Sequence, residues 1–573
     1  MARIYSRWFH ILLLLVWLVI GISLRLTNLS GKSPWTDEFS TLVFSLGNSF
    51  LGVPLNQAIT INTLLQPLQP NPSAGVSDVL TNLFNESNHP PIYFVLTHLW
   101  LKLFPTNAGL VSVWGARLLA AIFGGLSIPA IFGLSWLAFR SRLISHLAAA
   151  MMAVSPFGIF LAQEARHYTL AILWVIASLA CLIITLRHIK NRTQLPINIA
   201  FCWVIVNALG IATHYFFALT LCAEVFVLMF TMWKEWRNKN TVVEHTFSFL
   251  SSPWKRIYAV ALGTFFAGLI WIPIFINNSY GDDLTDWIQG ERVGFAWISP
   301  IFQAIAAWIT MISLLPVEAS QLAVVIVSGL GMIIFFIWLI PILIRSYKVQ
   351  LSSSENKLII QALSSFILGA ITLFFIFTYF LGIDLTRGAR YNFVYFPAVM
   401  VLVGAILATI CDNKSAEKIR WGVTGKQAVA IILLMGFISS ITVVCNLGYQ
   451  KYYRPDLFVK LIEKTSQNPV LIATTQKTHV QIGETIGVAR EFKLADSNQN
   501  LNQNLNVRFL LAHQDKDRKA PTITLQNTLK RLSRPIDLWL VNFHAPAEVN
   551  NCIADNRDLP SIDGYEYKLF HCE

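Results

Sequence analysis

Two adjacent carboxylates, Asp37 and Glu38, follow the first long apolar stretch of the chain. Acidic side chains beside a membrane cost free energy, and proteins keep them there mainly for function. Other polar groups stand at the ends of later apolar stretches: His89, Glu164, Arg166, His167, Tyr168, His214, Tyr215, Arg387, Arg390 and Tyr391. Carboxylates beside cations and aromatic rings suit a site where a hydroxyl group is deprotonated and an anionic leaving group is held.

Glycosyl transfer from a lipid-linked sugar phosphate needs these groups. A carboxylate takes the acceptor proton as general base, and the candidate catalytic residues are Asp37, Glu38 and Glu164. Arginine or histidine stabilises the charge on the departing phosphate. The candidates for binding it are His89, Arg166, His167, Tyr168, His214, Tyr215, Arg387, Arg390 and Tyr391. No general acid is required, because a phosphate leaves as an anion.

The composition indicates a polytopic membrane protein. Of 573 residues, 55% are hydrophobic and only 13% are charged, against about 25% charged in a soluble domain. The net charge of +12 lies in short segments between apolar stretches, which is typical of orientation signals rather than nucleic-acid binding. The seven cysteines are too scattered for a disulfide scaffold or a zinc site.

The hydrophobic pattern predicts eleven membrane spans. They lie at residues 8–24, 117–139, 143–162, 169–186, 197–212, 216–233, 257–276, 319–344, 358–383, 392–410 and 428–445. The first is interpreted as an uncleaved anchor with a cytoplasmic N-terminus. Basic residues then concentrate in the predicted cytoplasmic loops, within residues 140–142, 187–192, 234–256, 345–357 and 414–426. This bias supports the orientation.

Two further apolar segments are too short to cross the membrane. A helix of 14 residues over 91–104 reaches about 21 Å, and the hydrocarbon core is roughly 30 Å thick. We expect it to lie at the outer interface, and we expect the same of residues 299–316. With this topology the candidate site residues share the outer, extracytoplasmic face.

Simpler explanations exist for the single groups. Asp37 and Glu38 could be a solvated pair at a helix N-terminus, and His89 could precede a helix that Pro90 and Pro91 open. Arg166 could anchor at lipid headgroups. The joint occurrence of these groups on one face favours a functional site over these explanations.

The composition changes after the last predicted span. We expect a membrane domain at residues 1–446, with a long outer loop at 28–116, and a small extracytoplasmic α/β domain at 447–573. Short β-branched stretches that alternate with helix-compatible ones indicate this α/β fold. Cys552 and Cys572, the only cysteines of this outer domain, are predicted to form a disulfide, because this compartment permits oxidation.

The motifs resemble those of the GT-C-type membrane glycosyltransferases, the superfamily of protein O-mannosyltransferases and the aminoarabinose transferase. In that family an Asp-Glu pair follows the first span, a His/Lys-Pro-Pro motif ends the first outer loop, an arginine opens the next span, and an acidic motif occupies the second outer loop. The matching residues are Trp35-Thr36-Asp37-Glu38, His89-Pro90-Pro91-Ile92-Tyr93, Arg117 with Phe123-Gly124-Gly125, and Gln163-Glu164-Ala165-Arg166-His167-Tyr168.

The resemblance implies a hexosyl- or pentosyltransferase of the bacterial plasma membrane. It would move a sugar from a polyprenyl-phosphate donor to a lipid, glycan or protein acceptor, on the extracytoplasmic face and with inversion. The resemblance places the catalytic acid first in the pair, at Asp37. The second acidic motif holds the single acid Glu164, so we expect no obligatory cofactor or metal. A transporter or flippase for lipid-linked sugars, or a receptor, remains the alternative.

Overall fold

The computed structural model describes residues 2–239, 252–276, 281–290, 292–412, 421–497, 505–514, 517, 519–547, 549 and 551–573. Parts of two predicted cytoplasmic loops, 240–251 and 413–420, lie outside the described residues. In chain order the helices are α1 (Ala2–Leu26), α2 (Thr36–Ser45), α3 (Ile61–Leu64), α4 (Val76–Glu86), α5 (Ile92–Leu101), α6 (Val113–Phe139), α7 (Arg142–Val154), α8 (Pro156–Ala162), α9 (Tyr168–Lys190), α10 (Ile197–Ile211), α11 (Phe217–Lys239), α12 (Ser252–Leu269), α13 (Ile272–Ile276), α14 (Ser299–Ile312), α15 (Leu322–Ser352), α16 (Lys357–Phe380), α17 (Phe396–Cys411), α18 (Gly425–Val444), α19 (Pro455–Thr465), α20 (His479–Ser497) and α21 (Ala520–Arg531).

The chain is a polytopic α-helical membrane protein. Eight helices in the described part are long and apolar enough to cross a membrane, and the bent pair of α7 and α8 makes up to nine. Helices α10 and α17 lie at two further predicted spans. Their 15 and 16 residues give about 22–24 Å of helix, short of the roughly 30 Å core. The total of eleven spans therefore stays a prediction.

The two segments predicted not to cross form short helices. Helix α5 has 10 residues and α14 has 14, which correspond to about 15 Å and 21 Å of length. Helix α5 connects the outer loop to α6 and packs on α2, α4 and α6. Both lengths agree with the interpretation that these segments do not span the membrane.

A buried arginine supports the bend between α7 and α8, which is 56°. Pro156 opens α8 and has no N–H to donate, so carbonyls at the end of α7 need other partners. The Arg25 guanidinium donates to the Met152 and Ala153 carbonyls at 2.9 and 3.2 Å. The bend directs α8 so that the following turn, residues 163–167, reaches the α2 N-terminus.

The C-terminal part forms a mixed sheet. Its strands are β1 (Ala58–Thr60), β2 (Val470–Gln476), β3 (Val507–His513), β4 (Ile536–Val541), β5 (Cys552–Ala554) and β6 (Tyr567–Cys572), in the order β1-β3-β2-β4-β6-β5. Strands β3, β2 and β4 are parallel, whereas both edges pair antiparallel. The α/β prediction is confirmed, and so is the disulfide between Cys552 and Cys572.

Strand β1 belongs to the first loop, not to the C-terminal part, and it pairs with β3 in the register Ile59↔Phe509. Loop 28–116 and the C-terminal residues therefore lie on the same side of the helical layer. The loop follows the first span and the C-terminal residues follow the last, so the number of crossings is odd. Nine or eleven spans satisfy this condition, whereas eight or ten do not.

Candidate active site

Helix α2 presents its two acids in different directions. Trp35 precedes the helix in an extended conformation without a side-chain cap, and Asp37 and Glu38 occupy the first turn. Carboxylates are stabilised there by the free N–H groups and the helix dipole. Consecutive helical residues point about 100° apart, so Asp37 is 30% exposed whereas Glu38 is fully buried.

Glu38 forms a two-pronged ion pair with Arg117. Arg117 Nε and Nη2 donate to the Glu38 carboxylate at 2.7 and 2.8 Å, and the Ala165 N–H donates at 2.8 Å. Burial alone would raise the pKa of Glu38, but the charges of Arg117 and Lys451 and these hydrogen bonds lower it to about 2. Glu38 thus ties α2 to α6 and to the turn before α9.

Glu164 lies in the same buried cluster. Its Oε1 accepts a hydrogen bond from Lys451 Nζ, and Oε2 has no hydrogen-bond partner among the described residues. Lys451 Nζ is also 3.9 Å from the Glu38 carboxylate. Neither Glu38 nor Glu164 lines the cavity described next, so their predicted catalytic roles stay predictions.

A cavity of about 380 Å³ opens beside Asp37. Its walls come from the start of α2, the residues before α5, the turn before α9, the α10–α11 and α16–α17 connections, and the start of α20. Eight predicted site residues line it. One is the candidate base, Asp37, and the other seven are candidate binding residues: His89, Arg166, Tyr168, His214, Tyr215, Arg390 and Tyr391. Among the described lining residues, Asp37 is the one carboxylate.

Two arginines face Asp37. Arg166 Nη2 lies 3.6 Å and Arg390 Nη2 lies 3.5 Å from Asp37 Oδ2. These separations exceed those of charge-assisted hydrogen bonds, about 2.7–2.9 Å. The Arg390 guanidinium stacks near Trp35 and Trp287, at 4.6 and 5.0 Å from the ring centroids. Such stacking fixes the guanidinium plane while its N–H groups remain available.

The histidines of the cavity are neutral. A guanidinium only donates, so His89 Nε2 accepts from Arg166 Nη2 at 2.9 Å, and Nδ1 donates to Ser87 Oγ at 2.9 Å. Burial, then the charge of Arg166, lower the pKa of His89 well below its usual value. Burial likewise lowers the pKa of His214, whose Nδ1 accepts from the Phe216 N–H.

Two predicted binding residues lie outside the cavity. His167 is fully buried, and its ring packs 4.4 Å from that of His214. Arg387 donates to the Trp287 carbonyl at 2.6 Å and lies 3.6 Å from Asp384. It therefore holds Trp287, which in turn stacks on Arg390. Binding of substrate by His167 and Arg387 stays a prediction.

No protein-family model matches the chain, and no curated protein matches it. Solved structures do resemble it. ArnT from Cupriavidus metallidurans, bound to undecaprenyl phosphate, aligns with 99% of this chain and 98% of its own, at a TM-score of 0.48 and 11% identity. The Archaeoglobus fulgidus oligosaccharyltransferase AglB was solved in complex with an inhibitory peptide and a dolichol-phosphate. It aligns with 84% of this chain and 64% of its own chain, at a TM-score of 0.43 and 12% sequence identity.

Both of these solved structures are GT-C glycosyltransferases. Because the scores lie below 0.5 and the identities below 25%, the proposals below rest on the geometry of the site. Among the described residues, no group of three or more histidine, cysteine, aspartate or glutamate side chains is arranged to hold a metal ion.

Sequence reasoning missed the contribution of the C-terminal part to the site. His479, the first residue of α20, lines the cavity, and Lys451 pairs with Glu164. Nothing in the sequence near either residue indicates such a partner, because the contacts join segments about 290 to 440 residues apart. Trp287 and Gln289 also line the cavity, and neither was among the predicted site residues.

Proposed function

We propose that the protein is a glycosyltransferase that moves a hexosyl or pentosyl group from a polyprenyl-phosphate donor to an acceptor hydroxyl. The observation that carries this proposal is the pairing of Asp37, the one carboxylate among the described cavity residues, with Arg166 and Arg390 at 3.6 and 3.5 Å. A single displacement of phosphate needs one base and a positively charged site that binds the leaving anion.

In the proposed step, Asp37 accepts the proton of the acceptor hydroxyl. The acceptor oxygen forms a bond to the anomeric carbon while the bond from that carbon to the phosphate oxygen breaks. The electron pair of the broken bond stays on the phosphate, which leaves as an anion. Attack opposite to the leaving group inverts the anomeric configuration, as we expect for a site with one carboxylate rather than a nucleophile and an acid/base pair.

Arg166 and Arg390 are proposed to hold the phosphate. Both stay protonated at any physiological pH. When Asp37 takes the acceptor proton, its attraction for the two guanidinium groups weakens as the phosphate gains charge. The arginines can then shift from the carboxylate toward the leaving group without leaving the site. The arrangement supports a mechanism that needs no obligatory cofactor.

The proposal includes a cellular setting for the reaction. We propose that the reaction takes place at the extracytoplasmic face of a bacterial plasma membrane, where loop 28–116 and domain 447–573 would lie beside membrane domain 1–446. The acceptor is a lipid, a glycan or a protein. Tyr168, His214, Tyr215 and Tyr391 supply aromatic surface on which a sugar ring can pack.

Transfer from a labelled donor tests the proposal. Membranes that contain the chain, and matched membranes that lack it, are incubated with a radiolabelled polyprenyl-phosphate sugar pool. We expect label to move from the lipid donor into a product only when the chain is present. A flippase would change the sidedness of the labelled donor but form no new glycosidic bond, and that result would contradict the proposal.

A further inference from the structure

The proposed site contains a small number of formal charges. Among the described residues that line the cavity, Asp37, Arg166 and Arg390 are the ionised ones, and they lie together within 3.6 Å. The other polar lining groups are hydroxyls, amides and imidazoles, such as Ser40, Ser87, Asn88 and Gln289. The cavity thus has one charged side and an otherwise neutral wall.

Binding of the donor alone neutralises these charges. A sugar phosphodiester carries one negative charge, so with ionised Asp37 it neutralises the two arginines. After transfer the leaving phosphate carries about two negative charges, but Asp37 is then protonated by the acceptor. The charges of the described lining residues and the donor sum to zero before and after the reaction, so none of these residues keeps a free positive charge for an anionic acceptor.

Cations around the cavity are committed to other partners. Lys477, two residues before α20, lies 2.8 and 3.1 Å from Asp283 and Asp286. Arg387 pairs with Asp384, and Lys451 with Glu164. Recruiting any of them for a second anion would break an existing ion pair. An anionic acceptor would therefore enter a site that offers it no compensating charge, at a considerable cost in desolvation.

His479 forms the part of the neutral wall that belongs to the C-terminal domain. Its ring stacks on Phe50 at 5.1 Å and meets the edge of Phe44 at 5.9 Å. Burial lowers its pKa to about 4, against the opposing effect of the Asp37 carboxylate. One turn later, Gly483 of α20 lies beside the backbone of Thr36, the neighbour of Asp37. His479 and the candidate base thus share one edge of the cavity.

We infer that the acceptor group entering this cavity is an uncharged hydroxyl-bearing unit, such as a neutral sugar residue, and that His479 helps to select it. A neutral ring on the cavity wall beside Asp37 adds no charge that would favour an anionic acceptor. The inference rests on the proposed function and adds the chemical class of the acceptor to it.

Competition between two soluble acceptor analogues tests the inference. Membranes with the full-length chain and labelled donor receive hexyl β-glucoside or its 6-phosphate, and label in each glycoside and in membrane products is measured. We expect the neutral glycoside to accept label or to reduce membrane labelling at a concentration at least tenfold below that of the phosphate. Equal potency, the reverse order, or no effect of the neutral glycoside would overturn the inference.

Substitution of His479 gives a second readout. We expect His479→Lys to reduce the preference for the neutral glycoside at least tenfold, because it adds a cation to the neutral wall. His544→Lys, at an exposed histidine of the same domain, should leave the preference unchanged. An unchanged preference in a folded His479→Lys protein would remove His479 from the inference. Absence of any label transfer by the unsubstituted chain would instead refute the proposed function.

Discussion

Asp37 and Glu38 are neighbours in the sequence with opposite surroundings, and this difference separates their roles. Asp37 opens into the cavity against two arginines at 3.5 and 3.6 Å, which suits a base whose proton arrives with the acceptor. Glu38 is held by Arg117 and by the Ala165 N–H, so its lone pairs are already occupied. Its pKa of about 2 makes it a poor proton acceptor near neutral pH.

The two arginines after α16 should differ in their effects on catalysis. We expect Arg390→Ala to raise the KM for the donor and lower kcat/KM by about tenfold to a hundredfold, because it removes charge-assisted hydrogen bonds to the phosphate. Arg387→Ala should have a smaller effect, since Arg387 acts through the Trp287 carbonyl. Initial rates at varied donor concentration measure both. A larger loss with Arg387→Ala would contradict the proposed phosphate site.

The residue types in the sequence predicted much of the site, but they did not predict the direction in which each side chain points. The motifs supplied Asp37, Arg166 and Arg390, because polar groups at the ends of apolar segments gather on one face. The same reasoning also supplied Glu164 and Arg387, which lie outside the cavity. One residue of difference in a turn decides whether a side chain faces a cavity or a buried partner, and no local pattern specifies it.

At the scale of elements, the ion pair between Glu38 and Arg117 joins α2 to α6 beneath the candidate base. We expect Glu38→Gln to lower the free energy of unfolding by about 3 kcal/mol, because it leaves Arg117 buried without its countercharge. Thermal unfolding in detergent measures the change. Glu566→Gln, at an exposed position, is the matched control. Equal melting temperatures for Glu38→Gln and the unsubstituted protein would contradict this account.

The lengths of the apolar segments in the sequence predicted the helices better than they predicted the sheet. Strands β2, β3 and β4 were recognisable as β-branched or apolar stretches between polar ones, whereas β5 and β6 were not predicted. Strand β1 has three residues in a loop rich in proline and asparagine, and it forms because β3 offers it an edge. A pairing over about 450 residues leaves no periodic signal in either partner.

The whole molecule brings the first loop and the C-terminal domain together on one side of the membrane. If the N-terminus is cytoplasmic, as the basic residues predict, the odd number of crossings puts the C-terminus outside. We expect alkaline phosphatase fused after Glu573 to be active and a green fluorescent reporter there to be dark, whereas the same reporter at the N-terminus should fluoresce. Fluorescence from both ends would contradict this topology.

The assignment of Asp37 as general base is the central claim, and one comparison tests it most directly. Transfer of label from the polyprenyl-phosphate donor is measured in membranes with Asp37→Asn, Glu164→Gln and the exposed control Asp496→Asn, at equal protein level. Asp37→Asn keeps the size of the side chain but removes its basicity, so we expect turnover to fall about 10²-fold or more with donor binding retained. Asp496→Asn should be unaffected. Near-normal transfer by Asp37→Asn would contradict the claim.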